Sequence, residues 1–205
     1  MASSINASSS GAGGIVTAGD ASGVLQLQTS GVTGLTIDAS QKVSFTNPIQ
    51  GGSITSGTAV ASTSGTSIDF TGIPAWVKRI TVMFNEVSTN STSFKLVQLG
   101  AGSVATSGYL SASSTVSASV ATTSSATGNV INANGVADVM SGHMVFTLIS
   151  GNTWISSHAV KGQAGYCSFG GGSVTLGGTL DRVRITTVNG TDTFDAGSIN
   201  ILYEG

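Results

Sequence analysis

Charge is what this chain has least of: 7 Lys and Arg stand against 9 Asp and Glu in 205 residues. So small a basic complement, with a net charge of -2, offers no electrostatic footprint for nucleic acid. Cys167 is the single cysteine, so no disulfide can form within the chain. No apolar run approaches the ~18 residues of a membrane-spanning helix, and no membrane insertion is expected. Met1 is followed by Ala-Ser-Ser-Ile-Asn, with neither a basic nor an apolar leader region. The expectation is synthesis in a cytoplasm without a secretory signal. Helix formers are scarce too: Leu, Glu, Lys, Arg, Met and Gln number 29, against 60 for Val, Ile and Thr.

What is abundant is small. Ser (33), Gly (29), Thr (26) and Ala (20) make up more than half the chain. Val, Ile, Leu and Phe still reach 51 of 205, above the roughly 20% below which chains tend to remain disordered. The composition therefore predicts an all-β fold with one ordinary core and an extension.

Texture divides the chain into three. Residues 1–22 are mostly Ser, Ala and Gly, broken by Ile5, Ile15 and Val16, and read as a flexible arm. Residues 23–55 read as very short strands, at Val24–Leu27, Leu35–Ile37 and Val43–Phe45, between Gly/Ser turns. Strands so short are marginal in water. They suit either repetition around a symmetry axis or a loose linker. Residues 56–205 carry the stronger signals. In Lys78–Phe84 the residues Ile80, Val82 and Phe84 share one face. Phe94–Leu99 follows, Met144–Ile149 and Thr153–Val160 flank Ser150-Gly151-Asn152, and Leu180–Val188 precedes a last strand through Ile199, Ile201 and Tyr203. This spacing predicts a β-sandwich of jelly-roll type.

One stretch stands apart. Leu96 through Ala137 carries no formal charge, and residues 111–127 are nearly pure Ser, Thr and Ala. Exposed strand edges are normally blunted by charge, so the stretch fits a surface buried against identical neighbours, or a low-complexity loop.

Reactive chemistry is sparse. Of the two histidines, His158 lies between Ser157 and Ala159, and no Gly-x-Ser-x-Gly elbow occurs. No catalytic residue is assigned, and the expectation is a protein that is not an enzyme. Gly100-Ala101-Gly102-Ser103-Val104-Ala105 matches a dinucleotide-binding pattern, but no helix signal follows and the next carboxylate is Asp138. No cofactor is expected. Asp181, Asp192 and Asp195 lie near one turn, yet a calcium loop needs several more oxygen ligands in one run, and turn hydrogen bonding explains them. No metal is expected. Asn90 and Asn189 open glycosylation sequons, which mean little without secretion. The candidate surface-contact residues are Tyr109, Trp154, His158 and Tyr166, since amphipathic rings suit a glycan or protein surface. Core packing is the competing use.

Two segments carry a resemblance. Gly23-Val24-Leu25-Gln26-Leu27-Gln28-Thr29 with Leu35-Thr36-Ile37-Asp38-Ala39-Ser40-Gln41-Lys42-Val43 resembles a spacer phrase of bacteriophage tail fibres and related appendages. Asp69-Phe70-Thr71-Gly72-Ile73-Pro74-Ala75-Trp76, continuing to Phe84, looks like the opening of a C-terminal domain of such proteins. The resemblance implies a homotrimeric β-structured virion appendage, with a compact distal domain and no catalytic motif. Its first implied role is a short tail-fibre-like protein contacting a host-surface glycan or protein. The alternative is a capsid decoration or head-fibre protein that stabilises the shell. A glycan-degrading spike fits least, because no 20–30-residue β-helix repeat is present. Residues 1–22 would then join another virion protein, of capsid or tail.

Overall fold

A computed structural model describes residues 3–7, 15–18, 22–47, 54–133, 138–163 and 165–205. The chain is all-β among these residues and divides into two compact units, 1–53 and 54–205. No helix among them is long and apolar enough to cross a membrane.

The N-terminal unit is one five-stranded sheet: β1 (Ser3–Ala7), β2 (Ile15–Ala18), β3 (Leu25–Thr29), β4 (Val32–Ile37) and β5 (Val43–Phe45). Their spatial order is β2-β1-β3-β4-β5, antiparallel except for the parallel pair β1–β3. The segment expected as a flexible arm thus supplies two strands to the spacer's own sheet, with Ile5 in register with Leu27. Backbone pairing needs no apolar pattern, which is why Ser/Ala/Gly-rich sequence hid these strands. Residues 1–2, 8–14 and 19–21 of that arm lie outside the described residues. No residue from 22 to 47 is buried, and Leu27, Val32, Val43 and Phe45 are exposed.

The C-terminal unit begins at residue 54. Its first strands are β6 (Thr55–Ser56), β7 (Val60–Ala61), β8 (Ile68–Thr71), β9 (Arg79–Thr89), β10 (Lys95–Ala101) and β11 (Ser103–Val104). There follow β12 (Leu110–Val116), β13 (Val120–Ser125), β14 (Asn129–Ile131), β15 (Met140–Ser150) and β16 (Thr153–Gly162). The last are β17 (Cys167–Thr175), β18 (Arg182–Thr187) and β19 (Phe194–Glu204). A large sheet runs β13-β12-β17-β16-β15-β9-β19-β6, with β7 also on β19. A smaller one runs β11-β10-β18-β8, with β14 also on β10. All described pairings in this unit are antiparallel.

Side-chain alternation decides what each strand buries. On β9 the inward set is Ile80, Val82 and Phe84, as the sequence pattern predicts, with Arg79 outward. Met144 and Phe146 on β15 and Ile199 and Ile201 on β19 join them. From the small sheet come Phe70, Val97, Leu99, Val183 and Ile185, so one apolar cluster binds both sheets. Residues 96–137, left open between interface and loop, fold over their described part as most of β10, then β11 to β14 with their turns; residues 134–137 lie outside the described residues.

Candidate functional site

At one end of the large sheet the core changes from apolar to polar. Alternation turns Ser111 and Ser113 of β12, His158 of β16 and Ser168 of β17 inward, where all are buried. The Ser113 hydroxyl lies 3.0 Å from His158 Nε2 and 2.9 Å from the Ser168 hydroxyl. It also accepts the Asn132 N–H at 3.0 Å, while Ser111 accepts the Val130 N–H at 2.9 Å. Asn129, on β14, accepts the Ser156 hydroxyl at 2.7 Å. These bonds tie β14 of the small sheet to the inner surface of the large one. Two glycines make the approach possible. A Cβ on Gly172 would sit 2.5 Å from Leu110 O and 2.7 Å from Asn129 Oδ1, and one on Gly170 would sit 2.4 Å from His158 Cε1.

A serine 3.0 Å from a histidine has the spacing of a nucleophile and its base. The surroundings argue for structure instead. Ser113 is 1% exposed and His158 6%, and no described hydrogen bond joins the ring to a carboxylate. Burial pushes the imidazole down to about 4, which keeps it neutral near pH 7. The group is a neutral hydrogen-bonded staple between layers.

The four residues expected as a surface patch do not form one. Tyr109 is buried, and its hydroxyl accepts the Leu99 N–H at 2.7 Å and donates to Leu99 O at 3.2 Å. Burial raises that phenol to about 12. β14 pairs with β10 at residues 95–97 and β11 pairs with it at 100–101. The Tyr109 hydroxyl therefore serves a backbone group in the gap between two short partners. Trp154, 3% exposed, belongs to the apolar core. His158 shares its inward strand face. Tyr166 is half-buried and donates to Asp138, and burial together with that carboxylate raises its phenol. The physical reason is alternation: Trp154 and Ile155 are adjacent apolar residues, and Ile155 is the one left outside.

Sequence reasoning also missed Lys95, which is fully buried on the inward face of β10. Its Nζ donates to Ala133 O at 3.0 Å. Burial lowers its pKa, opposed by the charges of Asp138, Asp192 and Asp195. Those carboxylates are engaged elsewhere. Asp138 accepts the Gln163 N–H at 2.7 Å, Asp192 the Ser93 N–H at 3.0 Å, and Asp195 the Ser88 hydroxyl. Among the described residues no group of three or more His, Cys, Asp or Glu could hold a metal. The glycine pattern at 100–105 folds as the β10–β11 hairpin, where Gly102 N–H donates to Asp181 at 3.1 Å and no helix follows.

The surface offers two features. A polar cleft of about 310 Å³ lies against the small sheet, lined by Thr66, Ser67, Gln98, Thr127, Arg184 and Asn189 among others. Arg184 is already tied to Asp69 through bonds of 2.7 and 2.6 Å, so its charge is largely spoken for. The second feature is the outer face of the large sheet, where Leu110, Val116, Val120, Ile155 and Phe169 are all exposed.

The chain matches no protein-family model, and no curated protein or solved structure is detectably similar to it. Function has to be read from the molecule's own surfaces.

Proposed function

We propose that the chain is a structural protein of a bacteriophage virion, assembled as a homotrimer, made in the host cytoplasm and without enzymatic activity. The observation that carries the assembly is the N-terminal unit. It is one sheet without a single buried residue between 22 and 47; Leu27, Val32, Val43 and Phe45 stand in the open, and Leu25, Leu35 and Ile37 are only partly covered. A sheet needs something to cover its apolar face, and identical copies around an axis supply that cover. The edge strand β2 leaves a backbone edge for adding a strand of another virion protein, in keeping with attachment through residues 1–22.

The connectivity of the C-terminal unit supports a jelly-roll relation. The chain passes from β8 in the small sheet to β9 in the large one, then back to β10. It visits the large sheet for β12 and β13, the small for β14, the large for β15 to β17, and the small for β18. The orders β8-β18-β10-β14 and β9-β15-β16-β17-β12-β13 support a reading as two interleaved Greek keys in which one strand has become the meander β15–β17.

Between the two positions on a virion, the inward placement of Tyr109, Trp154 and His158 favours a decoration or head-fibre role over an aromatic host-contact tip. The test is the copy number per particle, measured by mass spectrometry against the major capsid protein, with sedimentation of the purified chain. Hundreds of trimeric copies support decoration, and a few tens or fewer support a tail fibre. A stable monomer of 20.2 kDa refutes the trimer.

A further inference from the structure

The outer face of the large sheet is built inside out. On β12 the positions turned into the protein are Ser111 and Ser113, both buried, whereas the outward ones include Leu110 (75% exposed) and Val116 (48% exposed). A strand serving only its own chain places these residues the other way round. Register carries the outward pattern across neighbouring strands. Leu110 aligns with Ser173 and then Ile155, Ser114 with Phe169 and then Ala159, and Val116 with Cys167 and then Lys161. Between them are small residues, Ala112 and Gly171, so the apolar side chains project from a flat ground.

We infer that this face, over β13, β12, β17, β16 and β15, is where a second copy of this chain docks in the C-terminal unit. The inference rests on the trimeric reading above and says where in this unit the copies meet. Charge selects the occupant. Across these five strands Lys161 is the only formally charged residue, so the face offers no complement to a nucleic acid or an acidic protein. Identical faces turned towards a shared threefold axis can meet there with little like-charge repulsion. Size agrees. Five strands about 4.8 Å apart, with residues rising about 3.3 Å along the nine of β17, span about 24 by 30 Å. That is about 700 Å² per copy, close to the ~800 Å² per partner of a stable interface. Phe169, 50% exposed near the middle, is the aromatic anchor such interfaces favour.

The exposed thiol of Cys167 lies on this face, aligned between Val116 and Lys161, and reports on it in the native full-length chain. Sedimentation velocity gives the assembly state, and maleimide labelling gives the thiol's accessibility, compared with the same chain in urea. The expected result is an oligomer whose Cys167 reacts at least about tenfold more slowly than in urea. In the doubly substituted Leu110→Asp, Phe169→Asp chain, labelling should rise to near the urea rate while the N-terminal unit still holds the copies together. Since both side chains are exposed, this variant should fold, and its strand content by circular dichroism checks that. An oligomer whose native Cys167 labels as fast as in urea overturns the inference and leaves the trimer standing. The same holds if the substitutions leave labelling slow in a folded protein. A wild-type monomer overturns both.

Discussion

Acid should loosen this fold through one imidazole. His158 is held at about 4 by burial, while an unfolded chain returns it to about 6.5. Between these values the unfolded chain binds the proton and the folded one does not, so stability falls as the pH is lowered through that window. The interval corresponds to about 3 kcal/mol, fully lost only below about pH 4. For a chain of this size that is a fall of roughly 6–12 °C in Tm between about pH 7 and pH 4. The groups around the ring, Ser113, Ser168 and Gly170, are uncharged, so none of them offsets the cost of protonation. The assay is thermal or urea unfolding of wild type and His158→Gln across the window. Carboxylates elsewhere contribute equally to both chains, and the difference isolates the imidazole. The variant should lose less stability on acidification than wild type by about 3 kcal/mol. Parallel pH profiles for the two chains would refute the reasoning.

Other substitutions probe joints within and between the sheets. Tyr109→Phe removes the hydroxyl that accepts the Leu99 N–H and should cost about 1–3 kcal/mol in urea unfolding. No measurable loss would mean another group takes its place. Gly172→Ala puts a Cβ within 2.5 Å of Leu110 O and should lower stability by about 2 kcal/mol, read as a drop in Tm; an unchanged Tm would mean β12 can move aside freely. Asp69→Asn breaks the Arg184 pair, whose side chains are 38% and 37% exposed. It should cost less than about 1 kcal/mol, and a loss above about 2 kcal/mol would mark the pair as far more protected than its exposure indicates.

Legibility in the sequence followed the hydrogen-bonding economy of each strand. β9, β10, β15, β16, β18 and β19 announce themselves because their inward residues are apolar, and Ile80, Val82 and Phe84 can be read off by counting in twos. β12 and β17 could not be read that way. Their inward Ser111, Ser113 and Ser168 are satisfied by backbone groups of β14 and of Asn132 just beyond it and by one another, and Gly170 and Gly172 contribute space rather than area. Hydropathy cannot register a layer held by hydroxyls. The same ambiguity misplaced the contact residues, since adjacent apolar residues such as Trp154 and Ile155 do not say which faces in. Lys95 lay hidden in a strand otherwise apolar on that face, because only the fold brings Ala133 O and three carboxylates into its surroundings.

The order of the strands also governs when this unit can exist. β18 lies between β10 and β8, and β19 lies beside β9, whose other neighbour is β15. Both are synthesised after every strand they pair with. A ribosome-bound chain that has extruded everything as far as β17 still has a vacant slot in the small sheet and an open flank on β9. Neither sheet can be completed before β18 and β19 emerge, so the finished unit waits for synthesis of the whole unit, and long-range pairing of this kind is slow. Until then the unpaired edges of β8, β9 and β10 are sticky. A chain cut short before β18 leaves those edges open permanently, so a truncated copy cannot build the unit and would be excluded from any assembly that requires it. The topology thereby admits only finished chains.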